Sequence, residues 1–187
     1  MDFILASASP RRLELLRQIG LAPLSVEPAD IDETPRKAED PKTYGERMAR
    51  EKAQAVAARQ PDRVVLAADT VVCCGRRILP KAEDETVARS CLTLLSGRRH
   101  RVITAVAVAK DGKAQVKSVL TMVRFRRLQA GEIDAYIASG EWHGNAGGYA
   151  IQGLAAAFIP AINGSYSGVV GLPLAEVSRM LKAASGN

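Results

Sequence analysis

The hydrophobic pattern opens with an unbroken apolar run, Phe3-Ile4-Leu5-Ala6, which reads as a short buried strand. Ser7 and Ser9 break it, and Pro10 starts a helix, because its fixed φ fits the first turn and its missing N–H would have had no partner there. Leu13, Leu15, Leu16 and Ile19 follow at helical spacing up to a stop at Gly20. Residues 24–26 suggest a second strand, and residues 42–60 read as a long helix behind Pro41. At about 100° per residue, Tyr44, Met48, Ala49, Ala55 and Val56 share one face of that helix, with Arg47, Arg50, Glu51 and Gln54 opposite. Residues 63–72 form the strongest strand signal, apolar enough for burial on both faces. A hairpin around Gly75-Arg76 follows, then a crossover-type helix over 83–95. Two strands over 100–109 and 116–126 are joined by the turn pair Asp111-Gly112. Residues 129–139 read as helix. The glycine-dense stretch 140–171 is expected to hold short strands at 149–152 and 157–159, and a helix over 174–183 closes the chain.

Composition narrows the class. A chain of 187 residues with 47% apolar and 25% charged residues is long enough for a sizeable core and ordinary for a globular protein. No internal repeat or linker is visible, so one domain over residues 1–187 is expected. The first residues enter a strand without a basic leader, and no window reaches the ~18 apolar residues of a membrane span, so a cytoplasmic location is expected. The cysteines are Cys73, Cys74 and Cys91, with no CxxC spacing, and His100 and His143 stand alone. That argues against zinc and against a disulfide framework, and leaves a hard cation, Mg²⁺ or Mn²⁺, held by carboxylates and phosphates. The net charge of +6 suits an anionic ligand, but the basic residues are scattered and aromatics make up only 4%. No single-stranded nucleic acid platform is expected, and no membrane partner.

Chemistry concentrates at the points where polar residues interrupt the apolar pattern. Ser7 and Ser9 lie where a strand's carboxyl end meets a helix's amino end, a place with free N–H groups and positive partial charge. Arg11 and Arg12 oppose the helix dipole there, which makes sense if an anion such as phosphate binds between them. The plainer alternative is an ordinary Ser9 cap with solvated arginines. Lys52 falls inside the apolar stripe of its helix, so its ammonium either snorkels to the core's edge or meets an anion in a cleft. Asp69 interrupts the best strand, and a buried carboxylate is costly unless paired or metal-bound. Asp30, Asp32 and Glu33 lie in a proline-bounded loop that is either solvated or able to hold a cation.

Five motifs occur in order: Ser7-Ala8-Ser9-Pro10-Arg11-Arg12, Ala68-Asp69-Thr70-Val71-Val72, Ser96-Gly97-Arg98-Arg99-His100, Ala146-Gly147-Gly148-Tyr149-Ala150-Ile151-Gln152-Gly153 and Val170-Gly171-Leu172-Pro173-Leu174. Together they resemble the Maf-type nucleoside triphosphate pyrophosphatases, in particular the subgroup acting on dTTP and UTP. The resemblance runs from Ile4 to the last helix. It implies an elongated, mixed-sheet α/β fold with two lobes and a central cleft, similar to the inosine-triphosphate pyrophosphatases. It also implies a homodimer, a divalent metal, and cleavage of a nucleoside triphosphate to the monophosphate and pyrophosphate. By position, Asp69 matches the family's proton acceptor, and Arg11, Thr70 and Gln152 match the positions tied to base specificity. Ser7, Ser9, Arg12, Lys52 and Lys81 match polar or phosphate-contacting positions, and Glu33, with Asp69, is the metal candidate. A carboxamide such as Gln152 offers donor and acceptor to the uracil or thymine edge. The chain departs from the family at Asn145, often lysine, and at Pro80, often glycine. Two rival expectations are a 7-methylguanosine triphosphate pyrophosphatase of the same family and a non-catalytic regulator of cell division.

Overall fold

The computed structural model describes residues 2–186; Met1 and Asn187, the outermost residues of the expected domain, lie outside the described residues. Its elements run β1 (Phe3–Leu5), α1 (Pro10–Gln18), β2 (Ser25–Val26), α2 (Pro41–Ala57), β3 (Val64–Cys74), β4 (Arg77–Leu79), α3 (Glu85–Leu95), β5 (Arg99–Lys110), β6 (Lys113–Arg124) and α4 (Ala130–Ser139). A 3₁₀ turn (Leu154–Phe158), β7 (Ala161–Asn163), α5 (Tyr166–Val170) and α6 (Leu174–Ser185) complete the chain. The seven-stranded mixed sheet has the order β2-β1-β3-β5-β6-β7, with β4 also on β3. Strand β1 lies parallel to β2 and β3, whereas β4, β5, β6 and β7 pair antiparallel with their neighbours. The β5–β6 hairpin turns at Asp111 and Gly112, both at positive φ (49° and 71°), as the sequence signal required.

One feature of the pairing makes the site. On the same edge of β3, β1 pairs with Val64, Val65 and Leu66, and β4 pairs with Val72, Cys73 and Cys74. Among the described residues no strand covers residues 67–71 on that edge, and the cleft opens there.

The faces of β3 divide by side-chain alternation. Val65 and Ala67 pack with Ala49, Ala53 and Val56 of α2 on one face. Leu66 and Ala68 pack with Leu15 and Leu16 of α1 and Val177 and Leu181 of α6 on the other. A further cluster on that second face joins Val72 and Val102 to α3, α4 and the aromatic residues Phe125, Tyr136, Trp142, Tyr149 and Phe158. In β3 and β5 the residues between these two clusters are Thr70 and Thr104, which sit directly opposite each other. Two lobes thus share one sheet, with a hydroxyl pair at the seam.

Two expected strands are absent. Residues 149–152 form no strand: residues 149–150 are irregular and 151–153 a turn, after Gly147 and Gly148 at positive φ (70° and 69°) redirect the chain. Residues 157–159 belong largely to the 3₁₀ turn, whose alanines favour helical geometry and whose first N–H, that of Leu154, donates to Glu141 Oε2 at 2.7 Å. The strand forms just beyond it, at Ala161–Asn163. Helix α5 was hidden by Gly168, although Ser165 caps it by accepting from Gly168 N at 3.0 Å.

Candidate active site

The connection from β1 to α1 forms one wall of a cavity of about 370 Å³ at the open edge of β3. Ser7 is buried, and its Oγ accepts from Ser9 N (3.2 Å) and Arg12 Nη1 (3.0 Å). Ser9 occupies the N-cap position but makes no side-chain cap bond, so its hydroxyl and the first-turn amides remain for a ligand. The Arg11 side chain lines the cavity, and burial pushes its pKa down. Arg12 is tied inward: Nε donates to Gly171 O at 2.9 Å, and Nη2 donates to Thr70 Oγ1 at 3.5 Å. Burial lowers the Arg12 pKa, and nearby Asp69 and Glu33 offset part of that effect.

Across from this wall, on the α2 face, lies a line of alternating charge. Lys52 is only 8% exposed, and its ammonium donates to Asp69 Oδ1 at 2.7 Å and reaches Glu33 Oε1 at 3.0 Å. The other Glu33 oxygen lies 3.4 Å from Lys81 Nζ. Of the two readings open for Lys52, the structure selects the anion partner over snorkelling, and Asp69 is paired rather than orphaned. Burial pushes the Glu33 carboxyl up, but Lys52 and Lys81 outweigh it and hold the group below the usual carboxylate range. The Glu33 loop is pinned by Tyr44, whose hydroxyl donates to Glu33 O at 2.8 Å, and by Arg47, whose Nη2 donates to Thr34 O at 3.2 Å. Sequence reasoning placed Tyr44 on the apolar face and missed this role.

Lys81 comes from the second lobe and is placed by the glycine-rich segment. Gly144 N donates to Ala82 O (2.8 Å), Ala82 N to Asn145 O (3.1 Å), and Gly147 N to Pro80 O (2.9 Å). The two departures from the family pattern, Pro80 and Asn145, therefore meet in one backbone seam. Asn145 is buried, and its Nδ2 donates to Glu141 O at 2.7 Å. A side chain at Gly147 would strike Val72 Cγ1, 2.8 Å from an added Cβ, so only glycine lets the loop lie this close to β3. Tyr149 anchors the far end of the loop through His100, its hydroxyl 2.8 Å from Nε2. Burial pushes the His100 pKa down to about 4, so the imidazole is neutral at physiological pH.

Ser7, Ser9, Arg11, Arg12, Glu33, Lys52, Asp69, Thr70 and Lys81 all line the one cavity. Gln152 does not: it is exposed on the turn over residues 151–153, because its neighbour Ile151 takes the inward position. Among the described residues no group of three or more His, Cys, Asp or Glu could cage a metal. Asp69 and Glu33, hung on one ammonium, nevertheless suit Mg²⁺ or Mn²⁺, which bind through one or two carboxylates plus substrate phosphates and keep several waters. Among the described residues no helix is long and apolar enough to cross a membrane.

Nearly the whole chain is similar to known proteins. A protein from Paramagnetospirillum magneticum named dTTP/UTP pyrophosphatase is 60% identical over 179 residues, covering 95% of this chain and 94% of that protein. One of the same name from Novosphingobium aromaticivorans is 59% identical over 184 residues, covering 98% and 92%. One from Caulobacter vibrioides, again of that name, is 58% identical over 179 residues, covering 95% and 93%. Among solved structures, the Staphylococcus aureus Ham1 protein superposes with a TM-score of 0.50 at 15% identity, over 67% of this chain and 72% of that one, which shows a shared fold. The family model described as Maf-like protein matches residues 2–184, and the chain belongs to that family.

Proposed function

We propose that this chain is a dTTP/UTP pyrophosphatase that cuts the triphosphate between its α- and β-phosphates, releasing the nucleoside monophosphate and pyrophosphate. The observation that carries the reading is the charge line Asp69–Lys52–Glu33–Lys81 in a cavity whose opposite wall is the Ser7–Arg12 connection. A triphosphate brings about four negative charges, and phosphoryl transfer depends on neutralising them and aligning the nucleophile. Lys52, Lys81 and Arg11, with the first-turn amides of α1, supply positive charge from three directions. A carboxylate in hydrogen-bond reach of a water at the α-phosphorus takes the water's proton as the new P–O bond forms, and Asp69 fills that role. The bridge to Lys52, 2.7 Å from Asp69 Oδ1, fixes the carboxylate's rotamer. Asp69 and Glu33 are the residues that would hold a divalent cation, and such a cation would supply further charge neutralisation and Lewis acidity. A homodimer working in the cytoplasm completes the reading.

The test is a panel of dTTP, UTP, CTP and GTP with purified protein and Mg²⁺. Turnover of dTTP and UTP above the other two, abolished by a chelator and restored by Mg²⁺ or Mn²⁺, is expected. Indifference to the chelator removes the metal from the account, and no turnover of any triphosphate removes the enzyme.

A further inference from the structure

We infer that Glu39 and Arg47, neither of which lines the candidate active-site cavity, are positioning residues: their ion pair locks the loop between β2 and α2 and so keeps the Glu33 carboxylate in place for a divalent cation. The inference rests on the proposed activity and concerns how that site keeps a metal-binding group in position. Residues 27–40 join β2 to α2 without a helix or strand, and connections of this length are uncommon in a compact domain unless they serve a function. This one carries Glu33 between two cavities. Pro28, Ala29 and Glu33 line the first, and Glu33 and Pro35 line a second of about 440 Å³ together with Tyr44 and Ile78. With open space on both sides, packing alone does not hold Glu33.

Hydrogen bonds do. The Glu39 side chain folds back on its own turn, where its Oε2 accepts from Arg36 N at 2.9 Å. Arg47 grips the same carboxylate with both arms of its fork, Nε donating to Oε1 and Nη2 to Oε2, each at 2.7 Å. The Arg47 and Glu39 side chains are 13% and 6% exposed, so this is a bidentate pair shielded from water rather than a solvated surface contact. Arg47 Nη1 is steadied in turn by Glu51 Oε2 at 3.4 Å. From this anchored position Nη2 also donates to Thr34 O at 3.2 Å, and about one helical turn earlier the Tyr44 hydroxyl donates to Glu33 O at 2.8 Å. Helix α2 thus holds two successive carbonyls of the loop and the turn that follows them.

The lock matters because the other restraints on Glu33 are the ones a substrate removes. Its carboxylate rests on Lys52 and Lys81, at 3.0 and 3.4 Å. A triphosphate draws both ammonium groups toward itself, and Glu33 then swings away unless its backbone is fixed. Glu39 and Arg47 take no part in that exchange of partners, so the lock outlasts it. Groups that orient a metal-binding carboxylate typically change metal affinity by about 10- to 100-fold.

Calorimetry with α,β-imido-UTP reads this apart from turnover, because the analogue has nitrogen in place of oxygen at the bond proposed to break. The wild type should bind it more tightly with Mn²⁺ than without. Glu39→Gln breaks the bidentate pair and should lose roughly tenfold in the affinity measured with Mn²⁺, while the metal-free affinity stays within about threefold. Tyr44→Phe removes only the hydroxyl on Glu33 O and should lose about threefold in the same sense, which keeps the test open if Glu39→Gln does not fold. In a Glu33→Gln background, Glu39→Gln should add nothing, since the lock acts through Glu33. A purely structural role would lower both affinities together and would add to Glu33→Gln, and either result overturns the inference. If Mn²⁺ tightens binding equally in wild type and variants, the metal reading stands and the inference alone fails. A wild type whose binding of the analogue ignores Mn²⁺ defeats the proposed metal and the inference together.

Discussion

Replacing Lys52 by methionine tests the charge line most severely. The ammonium is 2.7 Å from Asp69 and 3.0 Å from Glu33, and the Lys52 and Asp69 side chains are 10% and 9% exposed. Methionine fills much the same volume, so the packing among Ala49, Ala53 and Val56 survives and the change is one of charge. Removing one partner of a buried ion pair leaves the other desolvated and unanswered, at a cost of about 3–5 kcal/mol. For a chain of this size about 3 kcal/mol corresponds to a fall in Tm of roughly 6–12 °C. Asp69→Asn should cost less, about 1 kcal/mol, because Lys52 still has Glu33. In the double variant no buried charge stands alone, and its stability should lie near that of Asp69→Asn. The cycle therefore predicts a coupling of about 3–5 kcal/mol, read by urea titration of the four proteins. Additive losses would mean the two side chains do not depend on each other, and the electrostatic picture of the site would be wrong.

Asp69→Asn should lower kcat on UTP by at least about a hundredfold with the fold retained, measured by turnover and circular dichroism; near-wild-type turnover would make Asp69 structural. Burial depresses His100 from 6.5 to about 4, so the unfolded chain takes up its proton first as pH falls. Stability from this group is therefore fully present above about pH 6.5 and is lost as pH drops toward 4, by ~1 kcal/mol over the first unit and about 3 kcal/mol in all. Urea titrations from pH 7.5 to 4.5 should show that slope in the wild type and a flatter one in His100→Phe. Gly147→Ala puts a Cβ against Val72 at a φ of 70°, and should cost roughly 2–3 kcal/mol by thermal melting. No change in Tm there would mean the loop tolerates retreat from β3.

Much of the site was legible because it broke strong patterns. Lys52 stood out against a 3.6-residue apolar stripe, and Asp69 against a continuous apolar strand. Thr104 interrupts its own apolar run in the same way, but threonine is at home in strands and gave no alarm. Its place at the seam depends on register, which sets it opposite Thr70, and on Gly168 arriving from sixty-four residues further along. The glycine-rich segment misled for a related reason. Its apolar residues suggested strands, yet φ at Gly147 and Gly148 and contacts to Val72 and Ala88 decide its path, and no local period encodes these. Gln152 belongs to the same segment, and the turn that buries Ile151 carries it outward.

The central claim is that water attacks the α-phosphorus beside Asp69. Hydrolysis of UTP in ¹⁸O-labelled water tests it directly, with the products separated and weighed by mass spectrometry. The account predicts one ¹⁸O atom in UMP, unlabelled pyrophosphate and no orthophosphate as first product. Label in pyrophosphate, or release of orthophosphate with UDP, would place the attack on another phosphorus and contradict it.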